Sequence, residues 1–265
     1  MTESNIVLIT GANTGIGYHI VRALYSAEKP YTIIVASRDL SKGEAAITAV
    51  KAEFPSSSNE LIPLQVDVEY DDSIKEAHDA IESKFGKLDT LVNNAGAQFD
   101  SLVSKGEMTE REVWNKSWNV NTAGTQIMTS TFIPLLLRST DPRILFITSG
   151  LSTLSGTEDM AIRANQSPDK GWPKRGFTAT AYRSAKTGLN MMMRNWHRLL
   201  KNDGVKVWAI APGLLATGLG GNPEFLKKLG AGDPAVAGPF IRDVIEGVRD
   251  ADVGKVISRD GIQPW

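Results

Sequence analysis

The strongest constraint on the fold is an apolar run that leads through a glycine-rich turn into a helical pattern. Residues 6–9 are wholly apolar, as expected for a strand buried on both faces. Glycines let the backbone approach a pyrophosphate, and a helix N-terminus offers free N–H groups with partial positive charge. The order of strand, turn and helix therefore predicts a nucleotide phosphate loop, and its predicted cofactor contacts are Gly11, Asn13, Thr14, Gly15, Ile16 and Gly17.

Strand-like and helical patterns then alternate along the rest of the chain. Further strands are predicted at residues 32–37, 61–66, 88–92, 143–148, 206–210 and 255–258, with helical patterns at 71–85, 107–137, 178–201 and 234–249. The connections are too long for hairpins, so we expect an α/β fold with a doubly wound, parallel, seven-stranded sheet and helices on both faces. We expect a single domain over residues 1–265, with an insertion at about 151–177 and a mobile substrate flap at about 214–232.

Composition excludes several classes of site and partner. The 265 residues include no cysteine, which excludes disulfides, zinc–thiolate sites and a cysteine nucleophile, and we expect no metal. The net charge of -1 gives no reason to expect nucleic acid or an anionic membrane as a partner. No secretory pattern or long apolar segment is present in the sequence, so we expect a cytoplasmic protein without a membrane span.

The second predicted strand ends in residues that bear on the choice of cofactor. In a dinucleotide-binding fold this strand end faces the adenosine ribose, where NAD favours an acidic residue. Ala36 and Ser37 are neutral, and Arg38 carries a planar cation suited to a 2′-phosphate. The sequence thus favours NADP (NADPH) over NAD, with Lys42 as a second cation. The alternative is that Arg38 is a solvated residue at the start of the next helix, and the neighbouring Asp39 argues for caution.

A tyrosine and a lysine lie four residues apart in the predicted helix 178–201. Positions i and i+4 share one helix face, so the Tyr182 phenol and the Lys186 ammonium are expected side by side. A neighbouring cation lowers the pKa of a phenol from about 10, which makes it a useful acid or base. The alternative is a surface tyrosine and a surface lysine that lie four residues apart by chance. Ser149 follows a predicted strand at the edge where ligands bind, and Asn119 and Asn121 predict a helix kink or a polar task.

Taken together and in order, these motifs resemble the short-chain dehydrogenase/reductase family over essentially the whole chain. The residues that carry the resemblance are Thr10-Gly11-x-x-x-Gly15-Ile16-Gly17, Asp67, Asn93-Asn94-Ala95-Gly96, Asn121, Ser149, Tyr182-x-x-x-Lys186 and Pro212-Gly213. The glycine loop with Arg38-Asp39, and the long segment before Tyr182, make the chain similar to NADPH-dependent carbonyl reductases. The resemblance implies a Rossmann fold and the reversible reduction of a ketone or aldehyde to an alcohol.

The resemblance also implies a role for individual residues. Tyr182 would exchange a proton with the substrate oxygen, and Lys186 would lower the tyrosine pKa and hold the nicotinamide ribose. Ser149 would orient the carbonyl, and Asn121 would hold a water that links Lys186 to solvent. The cofactor cleft would also include Asp67 and Val68 at the adenine, Asn94, Ala95, Gly96, Pro212 and Gly213 along the cleft, and Thr217 at the nicotinamide amide.

Two departures from the family pattern modify these expectations. The segment between Ser149 and Tyr182 is longer than is usual in the family. In most family members the helix that carries the tyrosine packs in a subunit interface. A segment that covers this helix would favour a monomer or dimer over a tetramer. Thr14 is neutral where some NADP-specific members have a basic residue, so cofactor choice would rest on Arg38. Two alternatives stay open, namely an NADP-binding sensor or scaffold without turnover, and an isomerase or dehydratase. The apolar loops favour a fairly hydrophobic carbonyl or alcohol substrate.

Overall fold

The computed structural model describes residues 4–162, 165–172, 174 and 179–265, and within them one sheet organises the chain. Its strands are β1 Asn5–Thr10, β2 Tyr31–Ser37, β3 Glu60–Gln65, β4 Thr90–Asn93, β5 Arg143–Ile147, β6 Lys206–Ile210, β7 Val256–Ser258 and β8 Gly261–Ile262. They lie in the order β3-β2-β1-β4-β5-β6-β7-β8. Every neighbouring pair from β3 to β7 is parallel, and β8 runs antiparallel to β7.

Helices connect the parallel strands. In the described ranges they are α1 Gly15–Tyr25, α2 Leu40–Glu53, α3 Asp71–Phe85, α4 Ser101–Ser104, α5 Glu110–Trp118, α6 Gly124–Leu136, α7 Thr180–Leu200, α8 Pro223–Lys228 and α9 Ala237–Ile245. Among these same residues, no helix has the length and hydropathy of a membrane span.

Alternate residues of each strand supply two separate cores. On β1, Ile6 and Leu8 pack into a cluster with α3, α6 and α7. Val7 and Ile9 point the other way, into a cluster with α1, α2 and α9. Both faces of the sheet are therefore buried, which explains why β1 reads as an unbroken apolar run. The predicted doubly wound α/β fold is confirmed.

The structure differs from the sequence prediction in three elements. The sheet has eight strands instead of seven, because a turn after Ser258 brings two more residues back against β7; a strand that short has no detectable alternation. The predicted helix 107–137 is divided, since a π-helical turn over Asn119–Ala123 separates α5 from α6. The last helix begins at Ala237 after a 3-10 turn and ends at Ile245.

The parallel arrangement gathers the predicted site residues at one edge of the sheet. Strands β1 to β6 all end there, at the same edge as the loops that follow Thr10, Ser37, Asn93 and Ile147. Because β1 lies between β2 and β4, the chain first adds β2 and β3 on one side of β1 and then crosses to β4 on the other side. A crevice opens outside the carboxyl ends of strands at such a switch point, and ligands of open α/β sheets bind there.

Candidate active site

The turn after β1 is a close-packed glycine loop at the start of α1. Gly11 and Gly15 have φ values of +62° and +55°, a region that other residues enter at a cost. Thr14 precedes α1, and its side chain makes no capping hydrogen bond to the first helical amides. The loop thus presents helix-terminal N–H groups without a side-chain cap, which is the donor set that a phosphate requires.

Asn94, predicted to line the cofactor cleft, holds the glycine loop in place. Its Nδ2 donates to the carbonyl oxygens of Thr10 and Gly11 at 2.8 and 3.1 Å. In return, the Thr10 hydroxyl accepts from the backbone N–H of Asn94 at 3.0 Å and of Ala95 at 2.9 Å. The end of β4 is therefore fastened to the end of β1 across the crevice.

Gly17→Ala is expected to disrupt this loop. A Cβ at Gly17 would lie 2.5 Å from the Gly11 carbonyl oxygen and 2.6 Å from Asn94 Nδ2, closer than packed atoms allow. Overpacking of this kind costs about 1–3 kcal/mol, so the melting temperature should fall and nucleotide binding should weaken. Gly218→Ala is the matched control, since a Cβ there meets nothing within 4 Å. Equal melting temperatures for the two variants would contradict the expectation.

Arg38 and Asp39, at the end of β2, have different environments. The Arg38 side chain is 72% exposed and pairs with Glu69 at 3.9 Å. Asp39 caps α2, where its Oδ1 accepts from the Ser41 amide at 3.0 Å. The Asp39 carboxylate, which argued for caution about NADP in the sequence, thus caps a helix N-terminus. The Arg38 guanidinium extends into solvent.

The adenine-side residues follow β3. Asp67 Oδ1 accepts from the Glu69 amide at 3.1 Å and so shapes the turn after the strand. Val68 is buried, and its carbonyl oxygen lies so close to Gly124 that any Cβ there would overlap it. Both predicted adenine contacts therefore lie at the carboxyl edge of the sheet, next to the end of β2.

Tyr182 and Lys186 are both buried on the inner face of α7. They are 6% and 4% exposed. Lys186 Nζ donates to the Ile147 carbonyl oxygen at 2.8 Å and lies 5.9 Å from the centre of the Tyr182 ring. Ser149 follows β5, and its hydroxyl forms a hydrogen bond with the Tyr182 phenol. The structure thus brings Ser149, Tyr182 and Lys186 together.

In the free protein burial decides the pKa of Tyr182, and the lowering of that pKa by Lys186 together with the nicotinamide ring stays a prediction. Burial raises the pKa of Tyr182 to about 12, and the opposing influence is the hydrogen bond from Ser149. Burial also lowers the pKa of Lys186 to about 8. The two groups share one dry environment, which disfavours both phenolate and ammonium, and the Lys186 ammonium points to a carbonyl oxygen instead of the phenol.

Asn121 is fixed inside the π-helical turn. It is fully buried, and its Nδ2 donates to the carbonyl oxygens of Ala97 and Ser117, each at 2.8 Å. Its Oδ1 accepts from the Ala97 amide at 3.1 Å. A Cβ at Gly96 would lie 2.9 Å from Asn121 Oδ1 and 3.2 Å from Lys186 Nζ, so both side chains lie close to Gly96. The predicted kink and polar task coincide at this residue.

The segment 214–232 closes on itself beside the glycine loop. It follows Pro212 and Gly213 at the end of β6, and a bridge between Leu215 and Gly232 closes its base. A Cβ at Gly15 would lie 3.6 Å from Thr217, so Thr217 borders the phosphate loop. Motion of this segment as a flap stays a prediction.

The described part of the segment before α7 is fastened to that helix. Arg183 Nε donates to the Leu151 carbonyl oxygen at 3.2 Å, and its Nη2 donates to Asn165 Oδ1 at 2.9 Å. The end of the predicted insertion, including Phe177, lies outside the described residues. Met191, on the outer face of α7, is 70% exposed, so the described part of the segment leaves the helix uncovered at this position.

Two groups of residues around the site have no motif in the sequence. Asp100 contacts the first turn of α7 through its carboxylate. Gln263 Nε2 donates to the Ser149 carbonyl oxygen at 3.2 Å, and behind it Thr148, Ser152 and Asn190 form a buried hydrogen-bonded network. A lone Asp four residues after a strand-end motif, and a Gln at position 263, give no local signal of these contacts.

Comparison with known proteins gives a consistent relationship over nearly the whole chain. The sequence profile described as short chain dehydrogenase matches residues 5–161 and 172–224. The chain is 43% identical over 270 residues to the short-chain dehydrogenase/reductase eupG of a Phoma species, covering 98% of this chain and 97% of that protein. It is 40% identical over 268 residues to the short-chain dehydrogenase/reductase tropE of Talaromyces stipitatus, covering 100% of this chain and 99% of that protein.

A solved structure has the same fold at lower sequence identity. The NADPH-bound carbonyl reductase from chicken fatty liver superposes with a TM-score of 0.80 at 21% identity, covering 99% of this chain and 100% of the other. The gap between the two matched parts of the family profile, residues 162–171, lies within the insertion predicted at about 151–177.

Proposed function

The chain belongs to the short-chain dehydrogenase family of oxidoreductases, and from that premise we propose that it is an NADPH-dependent reductase of a ketone or aldehyde. The observation that carries the proposal is the burial of Tyr182 and Lys186 together with Ser149 beside an uncapped glycine loop. A protonated phenol beside a serine hydroxyl, at the edge of the sheet where ligands of such folds bind, can give a proton to a substrate oxygen. In the reverse direction, the same oxygen accepts a proton from an alcohol.

The residues at the crevice fit a phosphorylated dinucleotide. The backbone of residues 11–17 offers uncapped amides for the pyrophosphate, and Arg38 offers an exposed guanidinium for a 2′-phosphate. Asp67 and Val68 would border the adenine, and Thr217 would meet the nicotinamide amide. Asp39 Oδ1 is engaged as the cap of α2, which directs this carboxylate to the helix and favours NADPH over NADH. The NADPH described for the chicken structure supports the same cofactor.

The roles of the chain's own groups follow from their positions. When bound, NADPH supplies the hydride, and its oxidised ring carries positive charge into the cleft. Tyr182 keeps its proton at neutral pH because burial raises its pKa to about 12, so it is ready to donate during reduction. The Ser149 hydroxyl, in contact with the phenol, polarises and orients the carbonyl. Lys186, held by Ile147, would bind the ribose hydroxyls, and Asn121 would support a water-mediated proton path.

One assay distinguishes the competing functions. Absorbance decay of NADPH is followed with a panel of hydrophobic ketones, quinones and aldehydes, and NADPH binding is measured by fluorescence. We expect turnover with at least one carbonyl compound. Tight NADPH binding without any turnover would favour a sensor or scaffold. Product formation without net NADPH consumption would favour an isomerase or dehydratase.

The activity is expected to fall on the alkaline side of about pH 8. Lys186 has a pKa lowered by burial to about 8, so it is charged below that pH and neutral above it. Loss of the charge weakens its hold on the ribose, whereas Tyr182 stays protonated over the same range. The quantity to measure is kcat/KM for NADPH, which reports on groups of the free enzyme. A profile that stays level from pH 7 to pH 10 would show that Lys186 does not act in this way.

The substrate and assembly proposals rest on the loops around the site. Leu214, Phe225 and Leu229 of the 214–232 segment are 57%, 55% and 43% exposed, which favours a fairly hydrophobic substrate. We propose that the chain acts as one catalytic unit, as a monomer or dimer, in the cytoplasm. The exposed Met191 leaves part of the outer face of α7 available to a second copy. A tetramer mass by light scattering would overturn the proposed assembly.

A further inference from the structure

Asp100 is a buried acidic residue that the catalytic chemistry described above does not use. It lies just before α4 and is 4% exposed. One carboxylate oxygen accepts from the Ala181 amide at 2.9 Å, and the other accepts from the Tyr182 amide at 3.2 Å. The backbone of Tyr182 itself is therefore a hydrogen-bond donor to Asp100.

These contacts make Asp100 the N-terminal cap of the helix that carries Tyr182 and Lys186. The residue that precedes α7, Ala179, has no side chain able to cap, so the first turn depends on a group from elsewhere in the chain. In the part of the chain that the structure describes, the Asp100 carboxylate supplies that group. A carboxylate at a helix N-terminus is stabilised by the partial positive charge there, which compensates its burial.

The same stretch of chain is fixed at its other end by Asn121. Asn121 makes two hydrogen bonds to the backbone of Ala97, at 2.8 and 3.1 Å. Three residues later, Asp100 makes its two hydrogen bonds to α7. Residues 97–100 thus form a strap between the π-helical turn and the first turn of α7. One end is hydrogen-bonded to Asn121 and the other to the Tyr182 amide, and both partners are proposed site residues.

We propose that Asp100 is a positioning residue that sets the place of the Tyr182 hydroxyl relative to Ser149 and Lys186 by holding the first turn of α7. This inference rests on the proposed reductase function. Tyr182 is in the first turn of α7, where a helix frays most readily when its cap is lost. Lys186 lies one turn further along the helix and is held separately by Ile147. Loss of the cap therefore displaces Tyr182 more than Lys186.

The test compares Asp100→Ala and Asp100→Asn with wild type. A misplacement of about 1 Å costs about a hundredfold in rate, so Asp100→Ala should lower kcat by about 10- to 100-fold. The dissociation constant for NADPH should change less than about twofold, because the glycine loop and Arg38 are distant in the chain and untouched. Asp100→Asn keeps one acceptor oxygen and should recover part of kcat, and it carries the test if the alanine variant does not fold.

Thr109→Ala is the matched control. Thr109 caps α5 through a capping box that it forms with Glu112, without a hydrogen bond to α7 among the described residues, so its loss should lower the melting temperature while kcat is unchanged. A normal kcat in folded Asp100→Ala would overturn the proposal, as would a loss of kcat in Thr109→Ala equal to that in Asp100→Ala.

A readout without turnover separates this inference from the proposed function. The Tyr182 phenol is titrated by NMR of ¹³C-labelled tyrosine, with its signal identified by its absence in Tyr182→Phe. In wild type the pKa is expected at about 12 because the phenol is buried. In Asp100→Ala the fraying first turn should admit water and move it toward the ordinary value of about 10. An unchanged titration in the folded variant would overturn the positioning role, whether or not the protein reduces any carbonyl.

Discussion

Tyr182→Phe is expected to lower kcat for carbonyl reduction by about a thousandfold while NADPH binds as in wild type. General acid catalysis contributes about 10²- to 10⁴-fold, and the substitution removes only the hydroxyl that would donate the proton. The ring stays in its buried site, so the fold and the glycine loop should be unaffected. Steady-state kinetics with the best carbonyl substrate give kcat, and fluorescence titration gives the NADPH dissociation constant.

Tyr70→Phe serves as the control for this experiment. Tyr70 is 65% exposed and lies outside the proposed site, so its variant should keep full activity. Reduction at the wild-type rate by Tyr182→Phe would show that another group donates the proton. A large loss of NADPH affinity in the same variant would instead mean that the phenol holds the cofactor.

Arg38→Ala is expected to weaken NADPH binding by about 10- to 100-fold and to leave NADH binding nearly unchanged. A hydrogen bond to a charged group contributes about 1.5–3 kcal/mol, and only NADPH carries the 2′-phosphate that Arg38 would bind. In the free protein Arg38 is largely exposed and its ion pair among the described residues, with Glu69, is long at 3.9 Å, so its removal should cost little stability. The measurement is the ratio of the dissociation constants for the two cofactors.

Two companion variants sharpen the result for Arg38. Arg38→Lys keeps the charge but loses the planar fork, and should retain part of the preference for NADPH. Lys42→Ala removes a cation one helical turn away, which pairs with Asp39 at 3.8 Å, and should have the smaller effect. An equal loss of affinity for both cofactors in Arg38→Ala would mean that Arg38 does not recognise the phosphate.

Sequence reasoning succeeded where the signal was local. The apolar run 6–9 and the glycine turn after it gave β1 and the start of α1, because backbone direction and burial leave a periodic pattern in consecutive residues. The spacing of Tyr182 and Lys186 placed both on one face of α7 for the same reason. Strand ends could be placed at one edge because connections too long for hairpins predict parallel strands, and the carboxyl ends of parallel strands share an edge.

Contacts between distant parts of the chain could not be read in this way. Asp100 contacts Ala181 across 81 residues, and nothing in its neighbourhood distinguishes it from a surface aspartate. The direction of the pKa shift at Tyr182 had the same origin. The sequence shows the lysine four residues away, but burial, which is a property of the whole fold, decides the sign.

The hydrogen bond from Gln263 to Ser149 has a consequence for the order in which the molecule is made. The two residues are 114 positions apart. A ribosome adds about 5–20 residues each second, so the strands up to β5 can form while Gln263 is still absent. The hydrogen bond to the Ser149 carbonyl oxygen therefore forms only after Gln263 has been made, and the crevice at the ends of β1 and β4 can be assembled seconds before the surroundings of Ser149 are complete.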